Sequence, residues 1–199
     1  MTKVAAFHML AAAFFIYPFL FSFSFLASGD KGVETHGVFG RIVDRKLMGL
    51  KKEKLTHFKL YWQEVVSGKK PTSIRVVQPV NGSSISFGLV QMYDNTLTTG
   101  SDPGSKMVGR AQGLFTQAGQ NVVALLMAQN FVFLQGKYNG STITVLGRNP
   151  VFDAEREMPI LGGSGLFRFA RGYVQIRTHT FDPKTLDSII EYNVYVLHY

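Results

Sequence analysis

An alternation of apolar and polar side chains runs through residues 55–66. Alternation with period two predicts a strand with one buried face. The apolar face carries Phe58, Leu60 and Trp62, and it continues to Glu64. An ionised carboxylate is costly to bury unless it is paired or protonated. Glu64 is therefore either a pocket residue with a chemical role or an exposed residue where the strand ends.

Seven further strand-like segments follow, and short turn signals such as Asn81-Gly82 separate them. These segments are residues 72–78, 85–93, 107–116, 122–134, 141–147, 167–179 and 188–198. Eight strands with short links predict an all-β fold, an eight-stranded antiparallel β-barrel, because closure removes exposed sheet edges. A barrel of this size can enclose one small ligand.

The N-terminal segment has a different pattern. Lys3 precedes an almost wholly apolar run over residues 4–27, and small residues stand before Asp30. This pattern predicts a signal peptide over residues 1–29 and a secreted, extracellular protein. Because the run exceeds 18 residues, an uncleaved membrane anchor is the alternative. Residues 30–54 lack a clear period and predict a flexible arm before a barrel domain at residues 55–199.

The composition excludes several kinds of chemistry. The chain has no cysteine, which excludes thiol nucleophiles, cysteine-ligated zinc and iron–sulfur clusters. Its five histidines lack metal-ligand spacing, and it carries neither a Gly-x-Ser-x-Gly elbow nor a dinucleotide fingerprint. We therefore expect no metal and no cofactor. The net charge of +8 is scattered along the chain, so we expect no nucleic-acid partner and keep attraction to an acidic cell-wall polymer as an alternative.

Two Asn-Gly-Ser triplets, at Asn81 and Asn139, are glycosylation sequons that coincide with turn signals. They predict glycans at loop tips. Other polar candidates are Asn149, which follows a strand and precedes a proline, and Arg156, within the charged residues 153–157. Both also have an ordinary structural interpretation as solvated residues.

Several motifs resemble those of plant dirigent proteins, in the branch that includes pterocarpan synthases. The resemblance covers residues 50–199. The motifs are residues 55–72, Val108-Gly109-Arg110-Ala111-Gln112-Gly113, Tyr138-Asn139-Gly140-Ser141-Thr142, Leu146-Gly147-Arg148-Asn149-Pro150, Arg156-Glu157-Met158-Pro159, Gly162-Gly163-Ser164-Gly165 and residues 167–173.

The resemblance implies a barrel related to allene oxide cyclase, assembled as a homo-oligomer, with a trimer favoured over a dimer. It implies a secreted protein of the apoplast that imparts stereoselectivity on the coupling of phenoxyl radicals from monolignols. A separate, laccase-like oxidase would supply those radicals, so we expect no intrinsic oxidase activity. A quinone-methide lyase, like the pterocarpan synthases that dehydrate isoflavanols, is the alternative. A non-catalytic binder of aromatic metabolites is another.

The resemblance and the alternation together assign candidate site residues. Glu64 would act as acid and base, Arg156 would stabilise oxyanion charge, and Asn149 would orient the phenolic substrate. The remaining substrate-binding candidates are Phe58, Trp62, Phe87, Phe115 and, by resemblance, Asp94. Lignan-forming members have His-Asp in place of Gln63-Glu64, Asp in place of Asn149 and Tyr in place of Phe115, so the lyase and binder alternatives stay open.

Overall fold

The computed structural model of the protein describes residues 42–102 and 104–199. The predicted leader, residues 1–29, lies outside the described residues, as do residues 30–41 of the predicted arm. The described ranges contain nine strands: β1 Lys54–Glu64, β2 Ser73–Val77, β3 Val90–Thr98, β4 Met107–Gln117, β5 Leu125–Phe133, β6 Thr142–Asn149, β7 Arg156–Ser164, β8 Arg171–Phe181 and β9 Ser188–His198. Two short 3₁₀ helices, Gly136–Tyr138 and Gly165–Phe167, precede β6 and β8.

The strands close into an antiparallel barrel. The order is β1-β9-β8-β7-β6-β5-β4-β3-β2, and β1 also pairs with β3 through Tyr61, Trp62 and Gln63. This last pairing joins the two ends of the sheet. Eight strands form the closed barrel, and β2 is an additional strand that pairs with the first half of β3. The predicted fold class is confirmed.

Alternate side chains along each strand fill the barrel interior. On β1 the buried residues are Leu60 and Trp62, while Lys59 faces outward and is exposed. The interior therefore carries the face that the alternation of residues 55–66 predicts. Aromatic packing closes one end of the barrel. That end is filled by an aromatic cluster of Phe58, Phe133, Tyr138, Phe167 and His198.

Three strands differ from the sequence interpretation. The strand predicted over residues 167–179 runs from Arg171 to Phe181, because Gly165–Phe167 form a 3₁₀ helix. The third strand was expected over residues 85–93 but runs from Val90 to Thr98, because Ser86 adopts a left-handed conformation with φ of 62° and ends any extended run there. β7, over residues 156–164, was not expected at all. The segment has a charged start, an internal Pro159 and a glycine-rich end, and this composition is typical of a loop. Proline and glycine are depleted from strand interiors.

Both sequons lie on turns of the described structure. Asn81 stands in the connection between β2 and β3, and Asn139 follows the first 3₁₀ helix. Both asparagines are exposed, as a glycan acceptor requires. Among the described residues, no helix is long and apolar enough to cross a membrane.

Candidate functional site

The barrel interior opens into a cavity at the end opposite the aromatic cluster. Its volume is about 600 Å³, within the usual range for small-molecule pockets. Most of its lining side chains are apolar. The apolar wall is made by Trp62, Phe115, Leu125, Met127, Val151, Phe152, Ala154, Phe181 and Ile190. Such walls suit a flat aromatic molecule.

Glu64 lines this cavity at the last position of β1, and β9 supports it there. The two strands pair Glu64 with Ser188, whose hydroxyl donates to Glu64 Oε2 at 2.9 Å. Burial raises the pKa of the Glu64 carboxyl, and the hydroxyls of Ser73 and Ser188 only partly oppose that rise. A carboxyl with a raised pKa can hold a proton at mildly acidic pH and give it to a ligand.

Arg156 begins β7 and is buried, with 5% of its surface exposed. Its Nη1 donates to the Val151 carbonyl at 2.6 Å and to Thr178 Oγ1 at 2.8 Å. Burial lowers the pKa of the guanidinium, yet an arginine stays charged in proteins. The site thus holds one buried positive charge, oriented by two hydrogen bonds that the guanidinium donates to a loop carbonyl and a strand hydroxyl. Arg177 also lines the cavity, but it is exposed and paired with Glu155.

Asn149 ends β6 and lines the same cavity. Its amide nitrogen contacts the Met127 sulfur at 3.0 Å, and sulfur is a weak acceptor. The amide oxygen has no protein partner. Asn149 can therefore accept a hydrogen bond from a ligand hydroxyl.

Unsatisfied polar atoms concentrate at this cavity. In the described part of the chain, six buried side-chain nitrogen and oxygen atoms lack a hydrogen-bond partner, and four of them belong to cavity residues. These four are Trp62 Nε1, Glu64 Oε1, Asn149 Oδ1 and Arg156 Nε. Each such atom costs about 1–3 kcal/mol if nothing bonds to it. Two are donors, one is an acceptor and the carboxyl oxygen can be either.

A chain of hydrogen bonds ends at the cavity wall. The Tyr93 hydroxyl donates to Gln129 Oε1 at 3.0 Å, and Gln129 Nε2 donates to the Tyr192 hydroxyl oxygen at 3.3 Å. Tyr192 lines the cavity, and Gln129 already occupies its oxygen as an acceptor. The Tyr192 hydroxyl is therefore free to donate a hydrogen bond to a ligand. Burial raises the pKa of Tyr192 to about 12, which keeps it a neutral donor at physiological pH.

The structure brings five of the eight predicted catalytic and substrate-binding residues to the cavity: Trp62, Glu64, Phe115, Asn149 and Arg156. Phe58 belongs to the aromatic cluster, with its ring centroid 5.0 Å from that of Phe133. Phe87 stands in the connection between β2 and β3. Asp94 lies on the outer face of β3, where it forms an ion pair with Arg110. These three residues do not line the cavity.

Sequence reasoning missed Tyr192, Gln129 and Ser188. Tyr192 alternates with Val194 and Val196 on β9, so it has the pattern of an ordinary core aromatic residue. Gln129 interrupts the apolar interior face of β5, between Met127 and Phe131. That interruption is the same signal that marked Glu64, and it would have identified Gln129 as a polar residue inside the barrel.

A closed antiparallel barrel with an apolar cavity, one carboxyl of raised pKa and one buried guanidinium defines a protein that can hold an aromatic molecule and move protons on it. The model of the Dirigent-like protein family matches residues 55–197. The chain therefore belongs to the dirigent protein family.

Individual relatives show the same relationship. The chain is 52% identical to Dirigent protein 7 of Arabidopsis thaliana over 161 residues, covering 81% of this chain and 86% of that protein. It is 43% identical to Pterocarpan synthase 1 of Glycine max, covering 77% and 84%. Its fold matches the solved structure of the pterocarpan synthase dirigent protein GePTS1 with a TM-score of 0.70 and 42% identity, over 75% of this chain and 87% of that one.

Proposed function

We propose that this protein imparts stereoselectivity on the coupling of monolignol phenoxyl radicals made by a separate oxidase. The observation that carries this proposal is an apolar cavity of about 600 Å³ whose lining also includes the polar residues Glu64, Asn149 and Arg156. A phenylpropanoid has a flat ring for the apolar wall, and its phenol, ether and alcohol oxygens can pair with the polar atoms. Secretion to the apoplast, as the leader pattern predicts, would place the protein beside such an oxidase.

The cavity would act first by orientation. When two phenoxyl radicals join, their unpaired electrons form one carbon–carbon bond, and the step needs no further oxidant. Holding one face of the radical against the wall of Trp62 and Phe115 decides which enantiomer forms, because the bound geometry selects the face that meets its partner. The protein then needs no redox group of its own for this step.

Proton movement would follow coupling. The coupled product is a quinone methide, and ring closure joins a side-chain hydroxyl oxygen to the methide carbon. The attacking hydroxyl loses its proton while the quinone oxygen gains one to become a phenol. Glu64 is the group that can accept or give this proton. Arg156 and the Tyr192 hydroxyl stabilise the negative charge that develops on the quinone oxygen, and Asn149 holds the attacking hydroxyl.

A second function, dehydration of an isoflavanol, is favoured by the raised pKa of Glu64 and by the similarity to pterocarpan synthases. A protonated Glu64 would give its proton to the departing hydroxyl, which leaves as water. The phenol para or ortho to that carbon then loses its proton to the Glu64 carboxylate and becomes a quinone methide. A second phenolic oxygen closes the ring, and its proton passes to the quinone oxygen, which becomes a phenol again. Both functions use the same carboxyl on the same kind of intermediate.

One pair of reactions tests the proposal. The protein is incubated with coniferyl alcohol and laccase, and separately with an isoflavanol in the absence of oxidase, and the products are resolved by chiral chromatography. Enantiomeric excess in the first reaction supports radical coupling, and pterocarpan in the second supports the lyase. Racemic lignan together with unreacted isoflavanol would overturn both functions and leave non-catalytic binding as the remaining interpretation.

The same assay tests the site. Glu64→Gln should remove the enantiomeric excess or the dehydration, whereas Glu157→Gln, which neutralises an exposed carboxylate on the outer face of β7, should match the unmodified protein. An unchanged product ratio in Glu64→Gln would remove that residue from the mechanism.

A further inference from the structure

The excess positive charge is concentrated at the end of the barrel that the aromatic cluster closes. Eight exposed cations lie there, against the two carboxylates Asp44 and Glu53. We call this set the basic end: Arg45, Lys46, Lys51, Lys52, Lys54, Lys137, Arg168 and Arg171. The rest of the described chain holds ten cations and nine carboxylates, which nearly balance.

Strand pairing and ring contacts hold these cations together. Lys54 pairs with His198 across β1 and β9, and Arg171 pairs with Leu197 across β8 and β9. The ring of Phe167, beside Arg168 in sequence, stacks on that of Tyr138 at 5.5 Å, which brings the turn with Lys137 to the same end. The basic end is therefore one surface to which three chain segments contribute cations: residues 45–54, Lys137 and residues 168–171.

A groove of about 510 Å³ crosses the basic end. Two guanidinium groups, of Arg45 and Arg171, line it together with the rings of Phe169 and Tyr199. Arg45 donates to the Tyr199 hydroxyl at 2.9 Å, which fixes its guanidinium and leaves its charge uncompensated by that partner. Arg171 donates through both Nη atoms to the Glu53 carboxylate, at 2.6 and 3.0 Å, so it shapes the groove while its charge is balanced by Glu53. Phe169 is 56% exposed, which leaves an apolar ring available beside the charges.

We propose that the basic end binds a linear polysaccharide of carboxylated sugars, a polyuronate. The Arg45 guanidinium, whose partner Tyr199 is neutral, can donate hydrogen bonds to a carboxylate, and an aromatic ring packs against the C–H face of a sugar. Lys51, Lys52 and Lys54 continue the positive charge away from the groove, as a linear polyanion requires. The cavity mouth is at the opposite end of the barrel, so the bound polymer leaves it open to small molecules.

Binding of the full-length protein to immobilised polygalacturonate tests this surface. At low ionic strength we expect binding that weakens steeply as salt rises, because screening shortens the reach of surface charges. A fully methyl-esterified sample of the same polymer, which lacks the carboxylates, should bind far less. Equal binding to both polymers, or tighter binding to single-stranded DNA or to anionic lipid vesicles, would overturn the assignment.

A matched pair of variants locates the effect. Replacement of Lys51, Lys52 and Lys54 by glutamine should weaken polygalacturonate binding by roughly tenfold. Replacement of Lys69, Lys70 and Lys184 by glutamine changes the net charge equally, but on turns at the cavity end, and should have a much smaller effect. Equal losses in the two variants would show attraction by net charge alone and contradict a local surface.

The coupling and dehydration assays keep this inference separate from the proposed function. Both triple variants should retain the product ratios of the unmodified protein, since none of the six lysines lines the cavity. Loss of polymer binding with unchanged products supports the basic end as a second, independent site.

Discussion

Glu64 combines a buried carboxyl with incomplete hydrogen bonding, and this has a consequence for stability. Its folded pKa lies above the ordinary value of 4.5 because burial disfavours the charged form. The folded state therefore binds more protons than the unfolded state between pH 4.5 and the folded pKa. The contribution of Glu64 to stability is therefore greatest below pH 4.5 and falls as pH rises through the folded pKa, by about 1.4 kcal/mol for each pKa unit of separation.

Glu64→Gln should remove this loss. We expect the free energy of unfolding of the variant, relative to the unmodified protein, to rise between pH 4.5 and pH 7 in urea titrations. Glu157→Gln serves as the control, because its carboxylate is exposed on β7 and the difference should stay flat with pH. A flat difference for Glu64→Gln as well would mean that the carboxyl is hydrated in solution.

Tyr192 is the residue at which the hydrogen-bond chain meets the ligand. Tyr192→Phe removes one donor while preserving the ring that packs edge-on against Phe131 at 5.3 Å. We expect the product selectivity or turnover to fall about tenfold, the usual effect of one buried hydrogen bond to a developing charge. Tyr195→Phe, on the outer face of the same strand, is the control. Equal activity in the two variants would show that Tyr192 has only a packing role.

At the scale of single strands, the sequence was informative where one face is buried and the pattern is regular. β1 was predicted within one residue of its observed start, and its buried face was correct. β7 was missed, because its glycines and Pro159 normally interrupt strands. The reason lies in tertiary contacts: a Cβ on Gly163 would stand 2.3 Å from the Thr142 carbonyl oxygen and 2.7 Å from Phe167 Cβ. Glycine there permits close packing, which no local pattern encodes.

Neighbouring glycines on β7 give a direct test of that explanation. Gly163→Ala should lower the free energy of unfolding by about 1–3 kcal/mol, since the added methyl group must displace backbone atoms. Gly162→Ala, where a Cβ meets nothing within 4 Å, should change stability by less than about 0.5 kcal/mol. Thermal and urea unfolding of the two variants measure the difference. Equal stability would show that the sheet relaxes around residue 163.

The turn between β8 and β9 is tied to the end of β1 through Asp187. Its Oδ1 accepts from the backbone N–H groups of Val66 and Ser67 at 2.8 and 3.0 Å, and its Oδ2 accepts from the Ser67 hydroxyl at 2.7 Å. These bonds, chiefly that from the Ser67 hydroxyl, lower the pKa of Asp187. The next residue, Ser188, donates to Glu64, so the turn positions the candidate acid.

Asp187→Ala should therefore do two things. It should lower the free energy of unfolding by about 1 kcal/mol and change product selectivity, because Ser188 is no longer held against Glu64. Asp182→Ala removes an acceptor that serves only Lys184 within the same turn, and selectivity should then be unaffected. Chiral chromatography of the two variants, with urea unfolding beside it, measures both effects. Unchanged selectivity in both variants would contradict a positioning role for the turn.

For the whole molecule, the fold could be predicted because eight alternating segments with short links admit few arrangements other than a closed sheet. The site was predicted less completely. Five of the predicted residues line the cavity, and they were predicted from a carboxylate on an apolar face and from motif resemblance. Phe58 and Trp62 share one face of β1, yet Phe58 lies in the aromatic cluster and Trp62 lines the cavity at the other end of the interior. Depth along the barrel depends on stagger between strands, and a single-strand pattern carries no information about it.

The outer surface of the barrel carries a candidate contact between copies of this chain. We expect the protein to form a homo-oligomer, with a trimer favoured. A continuous apolar row crosses β2 to β6, and it consists of Ile74, Met92, Leu114, Ala128 and Leu146 in direct register. Ile74, Met92 and Leu146 are each at least 40% exposed in the single chain. An exposed apolar row of this kind is typical of an interaction surface between proteins, and a second copy of this chain is the partner that we expect.

Met92→Glu combined with Leu146→Glu should convert the oligomer to a monomer, because the two carboxylates would be buried without partners at the contact. Sedimentation velocity at micromolar concentration measures the mass directly. Tyr173→Glu, which places a carboxylate on the outer face of β8, should leave the mass of the oligomer unchanged. A monomeric unmodified protein would contradict the expected assembly. Dissociation by Tyr173→Glu alone would place the interface on β8 and not on β2–β6.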